Sequence, residues 1–372
     1  MALISSALVV GGGIAGLAAA IALEQIGVHV DVVELGERFG AVGAGMGIAG
    51  RAPDALAELG IYEEVAATGQ PGLGAPGMYD IAGRLTSALP PAPPEGQGRG
   101  PIGAYRPAIA EILVRRARAA GAHLRTGLTV DAIDEMPDGV TVTLSGGEVR
   151  RYDILIGADG AYSRIRSLVF PDAPAPEYAG QMSIRWLADG DPIEPEGWYV
   201  AGAPGRMAFY YQPYPRKLYV PFVVNMPRTH LSSEDAYELV RDFMAQYTAP
   251  AIVELRSRLT PGDEIIPRPF DWLLLKEWSR GHVLLIGDAA HATTAHLGMG
   301  GGMALEDGVV LARCLAEADT VAGAYEAFFA RRWERVRTVV ETSVVLSQRE
   351  QENLPPDPAL MHGAMAVLER PY

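Results

Sequence analysis

Three glycines stand where an apolar run gives way to a helical pattern. Residues 7–10 form a short apolar run, and residues 14–26 have the spacing of a helix with one apolar face. Gly11, Gly13 and Gly16 occupy the turn between these segments. Glycines at such a turn let backbone N–H groups and the positive end of a helix approach a pyrophosphate, and the third glycine lets helix and strand pack closely. The spacing predicts a dinucleotide-binding turn.

A carboxylate follows at the distance that a dinucleotide site requires. Residues 28–33 form a second apolar run, and Glu34 ends it about twenty residues after the glycines. A glycine-rich turn alone is often only structural, but strand, helix, second strand and acid in this order favour a binding site. The acid accepts hydrogen bonds from a ribose diol and repels a 2′-phosphate. The tightly bound molecule is therefore predicted to be FAD or NAD rather than NADP.

Two further acids end apolar runs later in the chain. Asp159 follows the run in residues 152–158, and Asp288 follows residues 283–286. Aspartate is a common helix N-cap, so each acid taken alone has a purely structural interpretation. The occurrence of three acids at three strand ends weakens that interpretation.

The three motifs together resemble those of the single-component flavoprotein aromatic hydroxylases, FAD monooxygenases of the para-hydroxybenzoate hydroxylase type. The resemblance is carried by the first glycines with Glu34, by the segment "GADGAYSRIRS" and by the segment "GDAAHATTAHLGMGGGMALED". It implies that Asp288 binds the ribityl chain, Arg106 the FAD phosphates and Val130 the adenine region. The residues predicted to bind FAD are Gly11, Gly13, Ala15, Gly16, Glu34, Arg106, Val130, Asp159, Asp288, Gly298, Met299 and Gly300.

The glycines after Asp288 have a physical role in this interpretation. Gly298, Gly300, Gly301 and Gly302 remove side chains that would collide with a flat isoalloxazine ring. A helix predicted to start near Met303 would point its positive end at the ring edge that becomes anionic on reduction. A glycine-rich surface turn is the alternative. The chain departs from the family pattern at Ala295, where many members have proline, and at Gly302, which puts loop mobility and oxygen handling in question.

The middle of the chain has a different pattern. Residues 174–265 contain strand-length runs rich in aromatic and branched residues, which predict an antiparallel sheet. The resemblance implies that this sheet covers the flavin and forms the substrate pocket. The residues predicted to contact substrate are Arg185, Arg206, Tyr210, Gln212 and His296, with His296 also proposed as the catalytic proton relay. The competing interpretations are core packing for the aromatic residues, a solvated surface charge for each arginine and a structural role for the histidine.

The predicted fold class is α/β, a Rossmann-like FAD-binding domain combined with a mixed or antiparallel substrate sheet and C-terminal helices. Its predicted division is residues 1–173 and 266–372 for the two parts of the FAD-binding domain and 174–265 for the substrate domain. The helical pattern near the C-terminus is long enough to break or to pack against a partner, so monomer and homodimer both stay open.

Composition excludes several classes of partner. The formal charge is −14, and basic residues are scattered among more numerous acids, which argues against a nucleic-acid surface. Cys314 is the single cysteine, so an intramolecular disulfide and a multi-cysteine metal site are excluded. The N-terminal residues lack signal-peptide features, and no apolar stretch has the length of a membrane span, so the expected location is the cytoplasm.

The predicted function is therefore oxygenation of an aromatic or N-heteroaromatic small molecule by an FAD-dependent monooxygenase. The resemblance implies dioxygen and NADH or NADPH as co-substrates, a flavin hydroperoxide as the oxygenating species and no metal. The same fold also supports epoxidation, Baeyer-Villiger oxidation, N-hydroxylation or dehydrogenation without oxygen transfer. A protein that binds FAD as a redox sensor without catalysis is the alternative from another class.

Overall fold

The structure is a computed structural model that describes residues 3–40, 45–71, 77–88, 99–201, 205–355 and 357–372. The described strands are β1 (Ser6–Val10), β2 (His29–Glu34), β3 (Gly45–Ile48), β4 (Gln70–Pro71), β5 (Gly77–Tyr79), β6 (Leu85–Ala88), β7 (Ile102–Tyr105), β8 (His123–Thr126), β9 (Val130–Met136), β10 (Gly139–Leu144), β11 (Val149–Tyr152), β12 (Ile154–Gly157), β13 (Glu177–Asp189), β14 (Gly197–Val200), β15 (Gly205–Gln212), β16 (Lys217–Asn225), β17 (Ile265–Trp272), β18 (Ser279–Arg280) and β19 (Val283–Leu285). The described helices are α1 (Ile14–Gln25), α2 (Ala52–Glu58), α3 (Tyr62–Thr68), α4 (Arg106–Ala120), α5 (Arg164–Val169), α6 (Ser233–Met244), α7 (Pro250–Ser257), α8 (Asp288–His291), α9 (Gly300–Glu317), α10 (Val321–Gln351) and α11 (Pro358–Leu368).

The first sheet has the order β18-β19-β12-β1-β2-β8 and is parallel except for the pair β18-β19. Its central strands are buried because α1 and the three-stranded sheet β11-β10-β9 both pack against them, as continuous apolar runs predict. The order β19-β12-β1-β2 brings the carboxyl ends of four strands to one edge. The three acid-bearing strand ends and the glycine turn therefore meet there, at the edge where ligands bind in such sheets.

Helix α1 packs tightly under this edge. Its alanine-rich surface meets α9, where a side chain on Gly308 would collide with the backbone of Ala18 and Ala19. Small residues on both helices let the backbones touch, so α9 lies close beneath the parallel sheet. The helix and second strand predicted from the sequence agree with α1 and β2 to within one residue at each end.

The second large sheet has the order β17-β13-β16-β15-β14-β5-β6 and is antiparallel except for the pair β14-β5. One face is the core of this half of the molecule, because Met207 and Phe209 are fully buried with residues of α6 and α7. Alternation along β15 turns Tyr210 to the opposite face. Strands β5, β6 and most of β17 belong to the sheet although they lie outside residues 174–265. The predicted domain boundaries stay a prediction.

Two helices differ from the sequence-based expectation. Helix α9 begins at Gly300 and not near Met303, because the N–H of Met303 already donates to the carbonyl of Met299 at 2.9 Å. Helix α10 is continuous over 31 residues and does not break. Its C-terminal end contacts β13 of the second sheet. Within the described segments, no helix has both the length and the apolar character needed to cross a membrane.

Candidate active site

The glycine turn after β1 is built for close backbone approach. Gly11 has φ +111°, and a side chain there would collide with the carbonyl of Ala158 at the end of β12. A side chain on Gly16 would collide with the carbonyl of Gly11. Gly13 differs, because no other described part of the chain comes within 4 Å of the position of its missing Cβ. Gly11 and Gly16 thus satisfy packing, while Gly13 leaves open space at the amino end of α1.

Glu34 and Ala15 border the same turn. One carboxylate oxygen of Glu34 accepts from the N–H of Gly12 at 2.8 Å, and the other accepts from the N–H of Gly36 at 2.8 Å. The acid therefore holds the glycine turn and the loop after β2 together. Ala15 lies in the first turn of α1, and a side chain on Gly287 would approach its Cβ to 2.7 Å. Ala15 thus joins this turn to the end of β19.

Asp288 and Arg106 carry opposite charges into the cleft above the parallel sheet. Much of the surface of Asp288 is open to solvent, yet protein surrounds its carboxyl group, and this burial raises the pKa of Asp288. The positive charges of His291 and Arg106 oppose that increase in the pKa. Arg106 begins α4 and has no ion-pair partner among the described residues. A solvent-accessible carboxylate near a guanidinium that has no ion-pair partner among the described residues is suited to hydroxyl and phosphate groups.

A buried ionic network supports Asp288 from below. The N–H of Gly287 donates to Asp307 at 2.9 Å, and His291 contacts the same carboxylate oxygen at 2.7 Å. Arg332 donates to Asp307 at 2.8 Å and to Glu306 at 2.6 Å. All these side chains are buried. His291 is therefore part of the support of the strand end.

The glycine tract, Gly298 and Gly300 to Gly302, spans the start of α9 and serves two purposes. Gly298 has φ +67° and open space around its missing Cβ, as a loop that a flat ligand covers requires. Side chains on Gly301 and Gly302 would instead collide with Met46 and Ala52. The prediction that a ring explains all four glycines is therefore wrong for these two, because β3 and α2 already occupy that space. The side chains of Met299 and Thr293 lie beside the tract at Gly302 and Gly300.

The open face of the second sheet supplies the other wall of the cleft. Tyr210 pairs with Tyr219 across β15 and β16, so both rings project from this face. Arg185 projects from the same face of β13, where its only side-chain hydrogen bond to a described residue is a 3.2 Å contact with Ser183. Burial lowers the pKa of Arg185, and the nearby charges of Arg106 and Arg268 act in the same direction. Burial raises the pKa of both tyrosines, which keeps them as neutral phenols.

Comparisons with known proteins identify the cofactor of this chain. The family described as FAD binding domain matches residues 5–343. The chain belongs to this FAD-binding family. It is 30% identical over 347 residues to the aurachin C monooxygenase/isomerase of Stigmatella aurantiaca, covering 92% of this chain and 88% of the relative. It is 31% identical to the FAD-dependent urate hydroxylase of Klebsiella oxytoca, covering 90% of this chain and 87% of that enzyme.

A solved structure extends the likeness to three dimensions. Klebsiella pneumoniae HpxO complexed with FAD and uric acid has a TM-score of 0.78 and 25% identity, covering 98% of this chain and 92% of that one. The predicted resemblance to flavoprotein aromatic hydroxylases is confirmed, as are the fold class, the FAD cofactor and a monooxygenase that acts on an aromatic or heteroaromatic small molecule.

The described residues fit FAD. Such a cofactor uses open space at Gly13 and Gly298, the accessible carboxylate of Asp288, and the guanidinium of Arg106, which has no ion-pair partner in the described part of the chain. Two predicted cofactor residues also have structural partners, and their contact with FAD stays a prediction. Asp159 accepts from the side chain of Ser163 and from two N–H groups that open α5. The side chain of Val130 is fully buried, and its carbonyl accepts from Arg164 at 2.8 Å.

His296 lies in the wall of the FAD site and not in the open cleft. Its side chain is only 2% exposed, one ring nitrogen contacts Thr294 at 2.8 Å, and the other lies 3.5 Å from Glu350. Burial lowers the pKa of His296, although Glu350 opposes the effect. Direct contact between His296 and substrate does not fit this placement, because protein groups enclose both ring nitrogens. The prediction that His296 is a proton relay in contact with substrate therefore has no support from this placement.

The two arginines proposed for the substrate differ in the structure. Arg206 lies 2.9 Å from Glu350 and stacks on Trp198 at 4.0 Å, whereas Arg185 has no acidic partner among the described residues. Gln212 shares the face of Tyr210 but is buried at the far end of β15, opposite Lys217.

Sequence reasoning missed Tyr219 and Glu350. The alternation of side chains in "KLYVPFVVN" could have identified Tyr219. Tyr219 pairs with Tyr210 and therefore lies on the open face of the sheet. Nothing local marks Glu350, which looks like any charged residue near the end of a helix.

Proposed function

We propose that this FAD-dependent monooxygenase hydroxylates an anionic aromatic or N-heteroaromatic molecule and that Arg185 binds the anionic group. The observation that carries the proposal is the half-buried guanidinium of Arg185, which has no acidic partner among the described residues. A partly desolvated cation without a partner is costly, and a bound anion reduces that cost. The guanidinium presents two parallel N–H groups, which match a carboxylate or an enolate-amide edge.

The chain's own residues have defined tasks in this proposal. Asp288, Arg106, Glu34 and the N–H groups around Gly13 hold FAD. When bound, FAD supplies the oxygen chemistry with electrons from NADH or NADPH. The protein has to orient the substrate and exclude water around the reacting atoms.

Tyr210 and Tyr219 position the aromatic ring of the substrate. Their neutral phenol groups donate hydrogen bonds to ring oxygens or accept them from ring N–H groups. Tyr219 is held in place by β3, since a side chain on Gly45 would collide with its ring. Trp198 meets Tyr210 edge to face at 6.4 Å and supports it from β14.

The relatives support an anionic heteroaromatic substrate. The urate hydroxylases of Klebsiella are similar to this chain over most of its length, and one related structure contains uric acid. The cytoplasmic location and the monomeric or homodimeric state stay predictions.

The test follows NADH and NADPH consumption by the FAD-loaded protein with a panel of phenols, aromatic acids and N-heteroaromatic compounds. An anionic compound is expected to accelerate consumption and to gain one atom from labelled dioxygen. Stimulated consumption without incorporation would indicate dehydrogenation, and no stimulation by any compound would favour the redox-sensor alternative. The position of the label separates hydroxylation from epoxidation, Baeyer-Villiger oxidation and N-oxygenation.

The role of Arg185 is tested with Arg185→Gln. This variant is expected to raise KM for the anionic substrate roughly 10- to 100-fold, since a charge-assisted hydrogen bond contributes about 1.5–3 kcal/mol. The matched control is Arg337→Gln on the exposed surface of α10. An unchanged KM in the Arg185 variant would contradict the proposed anion receptor.

A further inference from the structure

A second arginine projects into the substrate side of the cleft but is neutralised. Arg206 and Ser183 both pair with Val223 of β16, so Arg206 lies on the same sheet face as Arg185, two strands away. Strand spacing and residue rise separate their Cα atoms by about 12 Å. Both guanidinium groups are therefore within reach of one aromatic ligand that carries two anionic groups.

Glu350 neutralises Arg206 from outside the sheet. It lies in the last turn of α10, with one carboxylate oxygen 2.9 Å from Nε of Arg206 and 3.5 Å from Nε2 of His296. Burial opposes ionisation of this carboxyl group, yet contacts with His296 and Arg206 hold the pKa of Glu350 below its usual range. Its other oxygen, Oε1, is buried and lacks a hydrogen-bond partner among the described residues. The carboxylate is thus committed to these two side chains.

The end of α10 is anchored so that Glu350 stays in place. Ser347 donates to Gln181 of β13 at 2.6 Å, and Gln351 donates to the carbonyl of Ala179 at 2.8 Å. Gln181 donates in turn to Asn225 of β16 at 2.8 Å. These contacts attach the last turn of α10 to β13 and, through Gln181, to β16.

We propose that Glu350 determines how much negative charge a substrate carries into this site. By neutralising Arg206, it withdraws one of the cations on this sheet face and leaves Arg185, with Arg268 of β17 beside it, to meet an anion. The site therefore favours a singly charged aromatic anion over a doubly charged one more strongly than it would with Arg206 free. His296 acts as a positioning residue that keeps the carboxylate of Glu350 aligned. This inference rests on the proposed function, because it takes Arg185 as the anion receptor.

The experiment measures binding to the FAD-loaded protein by calorimetry at pH 7.5. The probes are nicotinate, which carries one negative charge, and pyridine-3,5-dicarboxylate, which carries two. Glu350→Gln keeps a side-chain oxygen toward His296 but removes the negative charge from Arg206. The variant is expected to bind the dicarboxylate at least about tenfold more tightly than the parent protein, with much less change for nicotinate.

Two further variants make the result specific. Arg206→Gln combined with Glu350→Gln removes both charges, and its dicarboxylate affinity is expected to return to the parent level. This pair also avoids an unpaired buried arginine, so it remains informative if the single variant unfolds. Glu352→Gln, an exposed acid at the end of the same helix, is the matched control and is expected to behave as the parent.

The outcomes separate this inference from the proposed function. If Arg185→Gln weakens nicotinate binding but Glu350→Gln brings no gain for the dicarboxylate, the role of Glu350 is wrong and Arg185 still stands. If Arg185→Gln has no effect, or the parent binds neither probe, the anion receptor itself fails. If the double variant, which lacks the Arg206 guanidinium, still binds the dicarboxylate more tightly than the parent protein does, the role of Glu350 is also wrong.

Discussion

At the scale of single residues, partners decide which charges are available for chemistry. Arg185 and Arg206 are the same residue type on the same sheet face, but only Arg206 has a carboxylate beside it. Asp288 and Asp307 are both acids near the end of β19, but Asp307 is committed to Arg332 and His291. Asp288 is the one that faces the cleft, so it is the acid expected to hold the cofactor.

The variant Asp288→Asn tests this assignment. The amide keeps the shape but loses the charge that strengthens hydrogen bonds from hydroxyl groups, a difference of about 1.5–3 kcal/mol. Affinity for FAD, measured by quenching of flavin fluorescence, is expected to fall roughly 10- to 100-fold. Asp319→Asn, in the exposed connection between α9 and α10, serves as the control. Equal affinities of the two variants would remove Asp288 from the cofactor site.

The side chain of Glu196 makes the free energy of unfolding depend on pH. Burial raises the pKa of Glu196 to about 7, and repulsion from Glu194 adds to the effect, although the N–H of Tyr211 opposes it. The folded chain therefore holds this proton more tightly than the unfolded chain. The stabilisation is complete below the unfolded value of 4.5 and is lost as the pH rises through about 7.

Glu196→Gln removes the titration and keeps the oxygen that accepts from Tyr211. At pH 8 the variant is expected to be more stable than the parent by about 1–3 kcal/mol, and near pH 4.5 the difference should vanish. Urea denaturation at both pH values measures this difference in the free energy of unfolding, and Glu238→Gln at an exposed position is the control. A difference that does not change with pH would show that this carboxyl group titrates normally.

At the scale of elements, backbone contact sets the geometry of the cofactor edge. Helix α1 approaches the end of strand β1 until only a hydrogen atom fits at Gly16, Gly11 meets the carbonyl of Ala158 after β12 equally closely, and α9 meets α1 in the same way at Gly308. These contacts place the amino end of α1 and the loop before α9 on either side of one cleft. Glycine is needed at Gly16 and Gly308 for proximity, and at Gly11 for the positive φ as well.

Gly16→Ala tests the role of proximity. The added methyl group would collide with a backbone carbonyl, so the helix must move away from the strand, and overpacking of this kind costs about 1–3 kcal/mol. Thermal unfolding and FAD titration are both expected to show the loss. Gly363→Ala is the matched control, since α11 has open space at that position and alanine is expected to stabilise it by about 0.5–1 kcal/mol. A loss of equal size in both variants would rule out the collision.

At the scale of the whole molecule, α10 joins the two sheets. Its first half packs on α9 beneath the parallel sheet, and its last turns bind the substrate sheet through Ser347 and Gln351. One rigid element thus connects the wall that holds the cofactor to the wall that holds the substrate. We expect the two halves to unfold together.

Ser347→Ala tests this connection. It leaves the buried side-chain oxygen of Gln181 without its donor, which costs about 1–3 kcal/mol. Urea denaturation followed by tryptophan fluorescence and by flavin release is expected to show one shifted transition for both signals. The exposed Ser257→Ala on α7 is the control. Two separate transitions in the parent protein would contradict the role of α10.

The sequence by itself determined the features that depend on neighbouring residues. The glycine turn with Glu34, the strand before Asp288 and the alternation along β15 were predictable, because backbone conformation and side-chain direction follow from local spacing. Tertiary structure alone decided that Arg185 is free, that Arg206 and His296 are bound to Glu350, and that Gly301 and Gly302 fit Met46 and Ala52. Those partners lie on distant segments, and the availability of a charge or of space depends on which groups the fold brings within a few ångströms.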